Sequence, residues 1–252
     1  MFSEARKLNI LEIHDLNVTV DGKKVLQNLN LEIPEGEVHV IFGPNGSGKT
    51  SLIFTLLGFP KYRVISGKIY FKGRDITNLP TDERIKMGMG VTFQHPPAIR
   101  GVKLGDIVNK ISEKNHNLAG REKSLAKKVN FPASFLDRDL NYGFSGGEVK
   151  RSEVLQILAQ RPEFIMLDEP DSGVDVENLE LIGKVINELL EERSGILITH
   201  QGYILRYVRT NRAHVIIEGC IACSGAPLET LDHILREGYW WCERCRSIGK
   251  EP

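Results

Sequence analysis

No stretch of the 252-residue chain approaches the roughly 20 consecutive apolar residues that a bilayer-crossing helix needs, so direct membrane insertion is not expected. An excess of one charge sign is missing too. With 33 Lys plus Arg against 33 Asp plus Glu, bulk charge gives no reason to expect nucleic acid or an anionic membrane as the main partner. The opening MFSEARKLNI lacks the apolar centre of a secretion signal, and the expected location is the cytoplasm. Cysteines number only four; in a reducing compartment they are expected as thiols or metal ligands rather than structural disulfides. Neither an internal repeat nor a low-complexity linker interrupts the sequence. What is present, 41% hydrophobic and 26% charged residues, suffices for a substantial core in one large domain or two intimate subdomains.

Leu8 to Val20 largely alternates apolar and polar residues, Asp21-Gly22 supplies a two-residue turn, and a second strand-like run ends at Leu31-Glu32-Ile33. These predict an antiparallel β region. Val38 to Phe42 is almost wholly apolar, the pattern of a strand buried on both faces. Ser51 to Leu57 has helical spacing, and Gly67 to Phe71 reads as another strand. From about Asp106 to Gln160 the pattern is mainly helical; its charge run, Arg121 to Lys128, reads as a solvated helix face. Strands return at Phe164 to Leu167 and Ile196 to Thr199 around the amphipathic Leu179 to Leu190, and such alternation implies a parallel sheet. A short helix, a hairpin around Glu218-Gly219 and a helix near Leu228 to Arg236 follow.

Between the buried strand and the next helix lies Gly43-Pro44-Asn45-Gly46-Ser47-Gly48-Lys49-Thr50, which fits G-x-x-x-x-G-K-[ST] in full. Glycines let successive backbone N–H groups, together with the helix start that includes Ser51, face a phosphate. Lys49 is then expected to reach the β and γ phosphates, and Thr50 to ligate magnesium. Asp168 and Glu169 are expected just beyond a buried strand, where ligands of parallel sheets collect. Asp168 is the candidate magnesium carboxylate. Glu169 is the candidate for orienting a water towards the γ phosphate, although two acids there also suit a helix cap.

Phe144-Ser145-Gly146-Gly147-Glu148 begins its serine 23 residues before Asp168 and resembles the signature motif of the ATP-binding-cassette family. Gln94, in Thr92-Phe93-Gln94, is similar to that family's glutamine loop. Asp171-Ser172-Gly173-Val174-Asp175 resembles its interface-crossing loop, and His200 its switch histidine. The resemblance runs from Leu8 to about Tyr239 and implies an α/β fold. It comprises a phosphate-loop nucleotide-binding domain with an antiparallel β subdomain, a mainly parallel core sheet and a helical subdomain. The expected layout is one domain over 1–252: a RecA-like core with the β subdomain at about 1–90 and 161–236, helices at about 95–160, and a tail at 237–252. The resemblance further implies magnesium-dependent ATP hydrolysis, with Lys49, Gln94, Glu169 and His200 catalytic and Gln94 joining Thr50 and Asp168 at the metal. It also implies a homodimer, because Ser145, Gly146, Gly147 and Glu148, with Asp175, serve the nucleotide held by the opposite subunit. Many members stack adenine on an aromatic residue; here the stretch is Asn17-Val18-Thr19-Val20, and an aliphatic contact from Val20 is expected instead.

Within the family, Phe93-Gln94-His95-Pro96-Pro97 and Gly143 to Arg151, continuing to Leu155-Gln156, look like the SufC group, ATPases of the SUF iron–sulfur cluster assembly system. Leu167 to Asp175 and Gly238-Tyr239 do so as well. That resemblance implies a SufB-like scaffold protein as partner. The competing expectation is the ATPase subunit of a membrane transporter.

The four cysteines form two pairs, Cys220-Ile221-Ala222-Cys223 and Cys242-Glu243-Arg244-Cys245, with 18 residues between. This spacing suits a four-thiolate zinc site, and an iron–sulfur cluster uses the same ligands. Free thiols and a redox role stay open, since strand alternation on the hairpin points Cys220 and Cys223 apart.

Overall fold

The computed structural model describes residues 8–113, 120–239 and 241. Strands β1 (Asn9–Val20) and β2 (Lys23–Pro34) pair antiparallel across a turn whose Asp21 and Gly22 have φ of 50° and 79°. Both dihedrals are left-handed, as this tight hairpin turn demands. The register shifts between Ile13 and Leu16, where Asp15 and Asn28 also have positive φ. This bulge changes the alternation midway, so that Leu11, Ile13, Leu16 and Val18 all reach the core. Amide groups fill the irregularity: Asn17 donates to Asn28 Oδ1 at 2.9 Å and Asn30 to Asp15 Oδ1 at 3.0 Å.

Strand β3 (Val38–Phe42) is buried along its length and leads through the glycine-rich loop into helix α1 (Lys49–Leu56). Strands β4 (Arg63–Phe71) and β5 (Arg74–Asp75) complete a four-stranded antiparallel sheet in the order β2-β1-β4-β5. Helix α2 (Thr81–Lys86) carries Arg84, whose guanidinium donates to the carbonyls of Thr55, Leu56, Thr77 and Leu79. A buried cation thus satisfies the end of α1, whose last carbonyls have no partner within the helix.

Strand β6 (Met89–Thr92) is followed by β7 (Ile99–Lys103), α3 (Leu104–Glu113), α4 (Glu122–Lys128), β8 (Asp139–Leu140) and α5 (Gly146–Gln160). This region is mainly helical, as expected, but it also holds the two-stranded β7–β8 ribbon, which the sequence pattern did not reveal. On α4 only Leu125 and Ala126 are buried, so its charge run is a solvated face. Strand β9 (Phe164–Asp168), helix α6 (Val176–Leu190), strand β10 (Ser194–Ile198), the hairpin β11 (Arg212–Ile217) and β12 (Cys220–Gly225), and helix α7 (Pro227–Glu237) finish the described chain.

The core sheet runs β12-β11-β3-β10-β9-β6, parallel except for β12. One apolar cluster joins its Ile41, Met166 and Ile198 to α1 and to the antiparallel sheet. A second joins the opposite face, including Val40, Leu167 and Leu197, to residues of α3, α5, α6 and α7. The expected mixed α/β class therefore holds. Because β3, β6, β9 and β10 run the same way, the segments after their C-terminal ends gather on one edge of the sheet, where ligands bind in such folds.

Candidate active site

Gly43 to Thr50 lies between β3 and α1. A Cβ on Gly43 would stand 2.3 Å from the Ile216 carbonyl oxygen, and one on Gly48, whose φ is 110°, would stand 2.8 Å from that of Val25. Only glycine fits such close backbone approaches. Gly219, in the β11–β12 turn, donates its N–H to the Ser47 carbonyl at 2.8 Å and braces the loop from behind. Asn45 and Gly46 form the exposed lip, with Pro44 half-buried beside them. Val20 is half-buried at the end of β1, on the hairpin whose β2 strand passes against Gly48. Ser51 lies in the first turn of α1, and its carbonyl accepts from Thr55.

Lys49 is 5% exposed, and its ammonium donates to the carbonyls of Gly43 at 2.8 Å and Pro44 at 2.9 Å. Burial lowers its pKa, while the nearby Glu169 and Asp168 charges oppose that shift. Loop carbonyls are interchangeable partners for an ammonium, which can turn from them to phosphate oxygens.

Asp168 is the last residue of β9, which runs one residue further than the expected Phe164 to Leu167, and Glu169 follows it immediately. Burial raises the Asp168 pKa to about 6, against the opposing hydrogen bond with the Thr50 side chain. Its Oδ1 is buried without a partner among the described residues. An orphaned carboxylate oxygen beside a hydroxyl is a hard-oxygen donor set that fits magnesium. Thr50 and Asp168 would hold the ion, and it would supply neutralisation of phosphate charge.

Gln94 follows β6 closely and reaches across to donate from Nε2 to Glu169 Oε2 at 2.6 Å, leaving its own amide oxygen for other partners. Glu169 has φ 48°, a strained backbone for a non-glycine residue, and its N–H donates to Ile198 O at 3.0 Å. Thr199 Oγ1 donates to Asp171 Oδ2 at 2.6 Å and accepts from the Gly202 N–H at 2.9 Å. The loop carrying exposed His200 is thereby tied to the loop after Glu169.

Ser145 caps α5 in a reciprocal pair: its Oγ accepts from Glu148 N–H at 3.3 Å, and Glu148 accepts from Ser145 N–H at 2.8 Å. Ser145 and Gly146 are exposed; added Cβ atoms on Gly146 and Gly147 would meet Gly173 O at 3.0 Å and Asn178 Nδ2 at 3.2 Å. Asp175 caps α6 through both oxygens on Asn178, and these bonds lower its pKa. Among the described residues no hydrogen bond joins Ser145, Gly146, Gly147 or Glu148 to residues 43–50.

Lys150 and Glu153 were not singled out by sequence reasoning. They lie three apart on α5, each 5% exposed. Lys150 donates to the carbonyls of Phe93 at 3.1 Å and Gln94 at 3.0 Å, while Glu153 accepts from the Phe93 N–H at 2.7 Å. The helix that begins at the signature therefore grips the glutamine loop by its backbone. Burial raises the Glu153 pKa to about 7 and lowers that of Lys150. Two opposite charges at this spacing on the first half of a helix were the available signal.

Cys220 pairs with Ile217 and Cys223 with Val215, while a register shift accommodates Ala222 between them. The extra residue puts both sulfurs on one sheet face, so simple alternation does not turn them apart. No disulfide joins them. Cys242 and Cys245 lie outside the described residues, and among the described residues no group of three or more His, Cys, Asp or Glu could hold a metal.

A phosphate loop, an orphaned carboxylate, a Gln–Glu pair and a capped signature helix on one parallel sheet define an ATPase of the cassette class. The sequence profile described as ABC transporter matches residues 26–172, and the chain belongs to that family of ATP-hydrolysing cassettes. It is 37% identical over 251 residues to a probable ATP-dependent transporter, ycf16, of Cyanidium caldarium, covering 95% of this chain and 98% of that one. Vegetative protein 296 of Bacillus subtilis (strain 168) is 38% identical over 252 residues, covering 96% of each. Among solved structures, a nucleotide-free ATP-binding cassette from an ABC transporter superposes with a TM-score of 0.76 at 24% identity, covering 91% of this chain and 96% of that one. That likeness concerns the fold.

Proposed function

We propose that this ATPase works as an ATP-dependent homodimer that rearranges a SufB-like scaffold during iron–sulfur cluster assembly. The observation that carries the reading is the segment from Gly143 to Arg151 and on to Glu153, with Lys150 and Glu153 gripping the loop of Gln94. It couples the signature helix to the catalytic carboxylate by way of Gln94.

In this reading Lys49 leaves the Gly43 and Pro44 carbonyls for the β and γ phosphates, and Val20 contacts the base. Ser145, Gly146, Gly147, Glu148 and the Asp175 loop meet the nucleotide of the opposite subunit. Glu169, released from Gln94, orients the attacking water, and His200 contacts the γ phosphate; phosphoryl transfer asks the protein chiefly for positioning and electrostatics. Closure performs work only because ATP binds the closed dimer more tightly than the open one.

A second reading, the ATPase subunit of a membrane transporter, is supported by relatives from Streptococcus pyogenes named probable ABC transporter ATP-binding proteins, 36% identical over 254 residues. Anaerobic co-purification and reconstitution separate the two. A SufB-like scaffold that binds the purified chain and changes its ATPase rate supports the assembly reading; association and stimulation only by a membrane permease overturn it.

A further inference from the structure

The chain entering the signature helix is held by Arg138. Its Nη2 donates to the Gly143 carbonyl at 2.9 Å, where Gly143 turns with φ 67°. The guanidinium also lies over two rings, 4.5 Å from the Phe135 centroid and 4.4 Å from that of Phe144, the residue just before Ser145. Those rings meet edge to face, 5.3 Å apart and 63° from parallel. A planar cation can serve ring faces and a carbonyl at once. Phe135 in turn stacks on Phe131 at 4.5 Å and 20°. Arg151 of α5 closes the stack from the far end, 4.8 Å over Phe131 and donating to the Asn130 carbonyl at 3.0 Å. The backbone of Arg138 is itself anchored, its carbonyl accepting from the Leu104 N–H at the start of α3 at 3.0 Å.

We infer that Arg138 is a positioning residue of the signature, holding the Gly143–Phe144 segment so that the start of α5 is presented correctly to the nucleotide of the opposite subunit. The inference rests on the proposed homodimer, in which Ser145, Gly146 and Gly147 meet that nucleotide. Ser145 and Gly146 are exposed at the α5 N-terminus, and the way the chain enters a helix sets where its free N–H groups point. The reciprocal cap joins Ser145 only to Glu148, one turn further on, and leaves the incoming chain unheld. Among the described residues no hydrogen bond other than that from Arg138 holds the backbone of Gly143 or Phe144. A misplacement of about 1 Å in a group that orients a reacting phosphate can cost about 100-fold in rate, so a hold on two residues outside the site is enough to matter.

The test compares full-length E169Q with E169Q/R138M in magnesium and ATP. Methionine keeps much of the aliphatic bulk and removes the planar cation with its bond to Gly143. Sedimentation velocity reads the ATP-dependent dimer, and titration of the dilute monomer with a fluorescent ATP analogue reads the phosphate loop alone. E169Q/R138M is expected to dimerise about tenfold more weakly, or worse, while its monomer binds nucleotide within about twofold of E169Q. Fold stability alone would lower the urea-unfolding midpoint and leave dimerisation of the folded protein unmoved. Dimerisation equal to that of E169Q, or an equal loss of monomer affinity, overturns the role of Arg138 and leaves the homodimer standing. An E169Q protein that stays monomeric with ATP overturns the homodimer and the role of Arg138 with it. Should R138M fail to fold, R138A, which introduces no new contact, is read in the same way.

Discussion

Gln94 donates to Glu169 at 2.6 Å, a side-chain bond between residues 75 apart in sequence that bridges the ends of two adjacent parallel strands. It occupies one oxygen of the carboxylate proposed to orient water. Lys150 and Glu153 hold the Phe93–Gln94 backbone by three hydrogen bonds, so a shift of the signature helix is proposed to reach that carboxylate by way of the Gln94 side chain.

Removing the grip on the loop should slow turnover more than it weakens nucleotide binding. E153A is expected to lower kcat by about tenfold, roughly 1.4 kcal/mol of transition-state stabilisation, with the KM for ATP nearly unchanged. E153Q keeps an acceptor for the Phe93 N–H and should stay within about threefold of wild type. Steady-state kinetics distinguish the variants; a rise in KM with unchanged kcat would show that the contact serves binding instead.

The buried His39 and His214 make an acid-sensitive seam across β3 and β11, with ring nitrogens 2.9 Å apart and Ser224 Oγ 2.7 Å from the far side of His214. Burial lowers both pKa values, that of His214 to about 3. Between pH 6.5 and 3 the unfolded imidazole takes up a proton that the native one refuses, so this contribution is complete above 6.5 and lost as pH falls. Glu153 and Asp168 act oppositely: with folded values raised to about 7 and about 6, they favour the native state at lower pH. Urea-unfolding midpoints should therefore fall less steeply with acid in H39Q/H214Q than in wild type. Equal slopes would remove the pair from the acid response.

The reciprocal cap on α5 separates folding from catalysis. S145A and E148A each break one of its bonds and should each cost about 1 kcal/mol in urea unfolding. ATP turnover at a temperature where both variants stay folded should fall by more than about tenfold in each, because both side chains are proposed to meet the opposite subunit's nucleotide. Turnover within about twofold of wild type in folded S145A would reduce Ser145 to a helix cap.

Much of this architecture was legible because local chemistry and long-range order agree. The apolar run Val38 to Phe42 needs burial on both sides, and a loop with its glycines can follow only a strand and open a helix, so Gly43 to Thr50 announced its own setting. Asp15 and Asn28 show the limit: their positive φ values arise from pairing across the hairpin, and a reading of alternation along one strand misses the bulge they form. Arg84 carries no local signal of burial, because its four carbonyl partners lie in α1 and the connection before α2. Lys150 and Glu153 were hidden for the same reason, since their partners lie 56 to 60 residues away. The β7–β8 ribbon went unseen because β8 is only two residues long.

Each chain is proposed to supply half of each of two shared ATP sites, with Glu169 setting off hydrolysis. Mass measurement by light scattering on E169Q tests it most directly, with magnesium and saturating ATP compared with ADP. The account predicts a dimer retaining two ATP molecules without hydrolysing them, and a monomer with ADP. A monomer in both nucleotides, or hydrolysis at the wild-type rate, contradicts it.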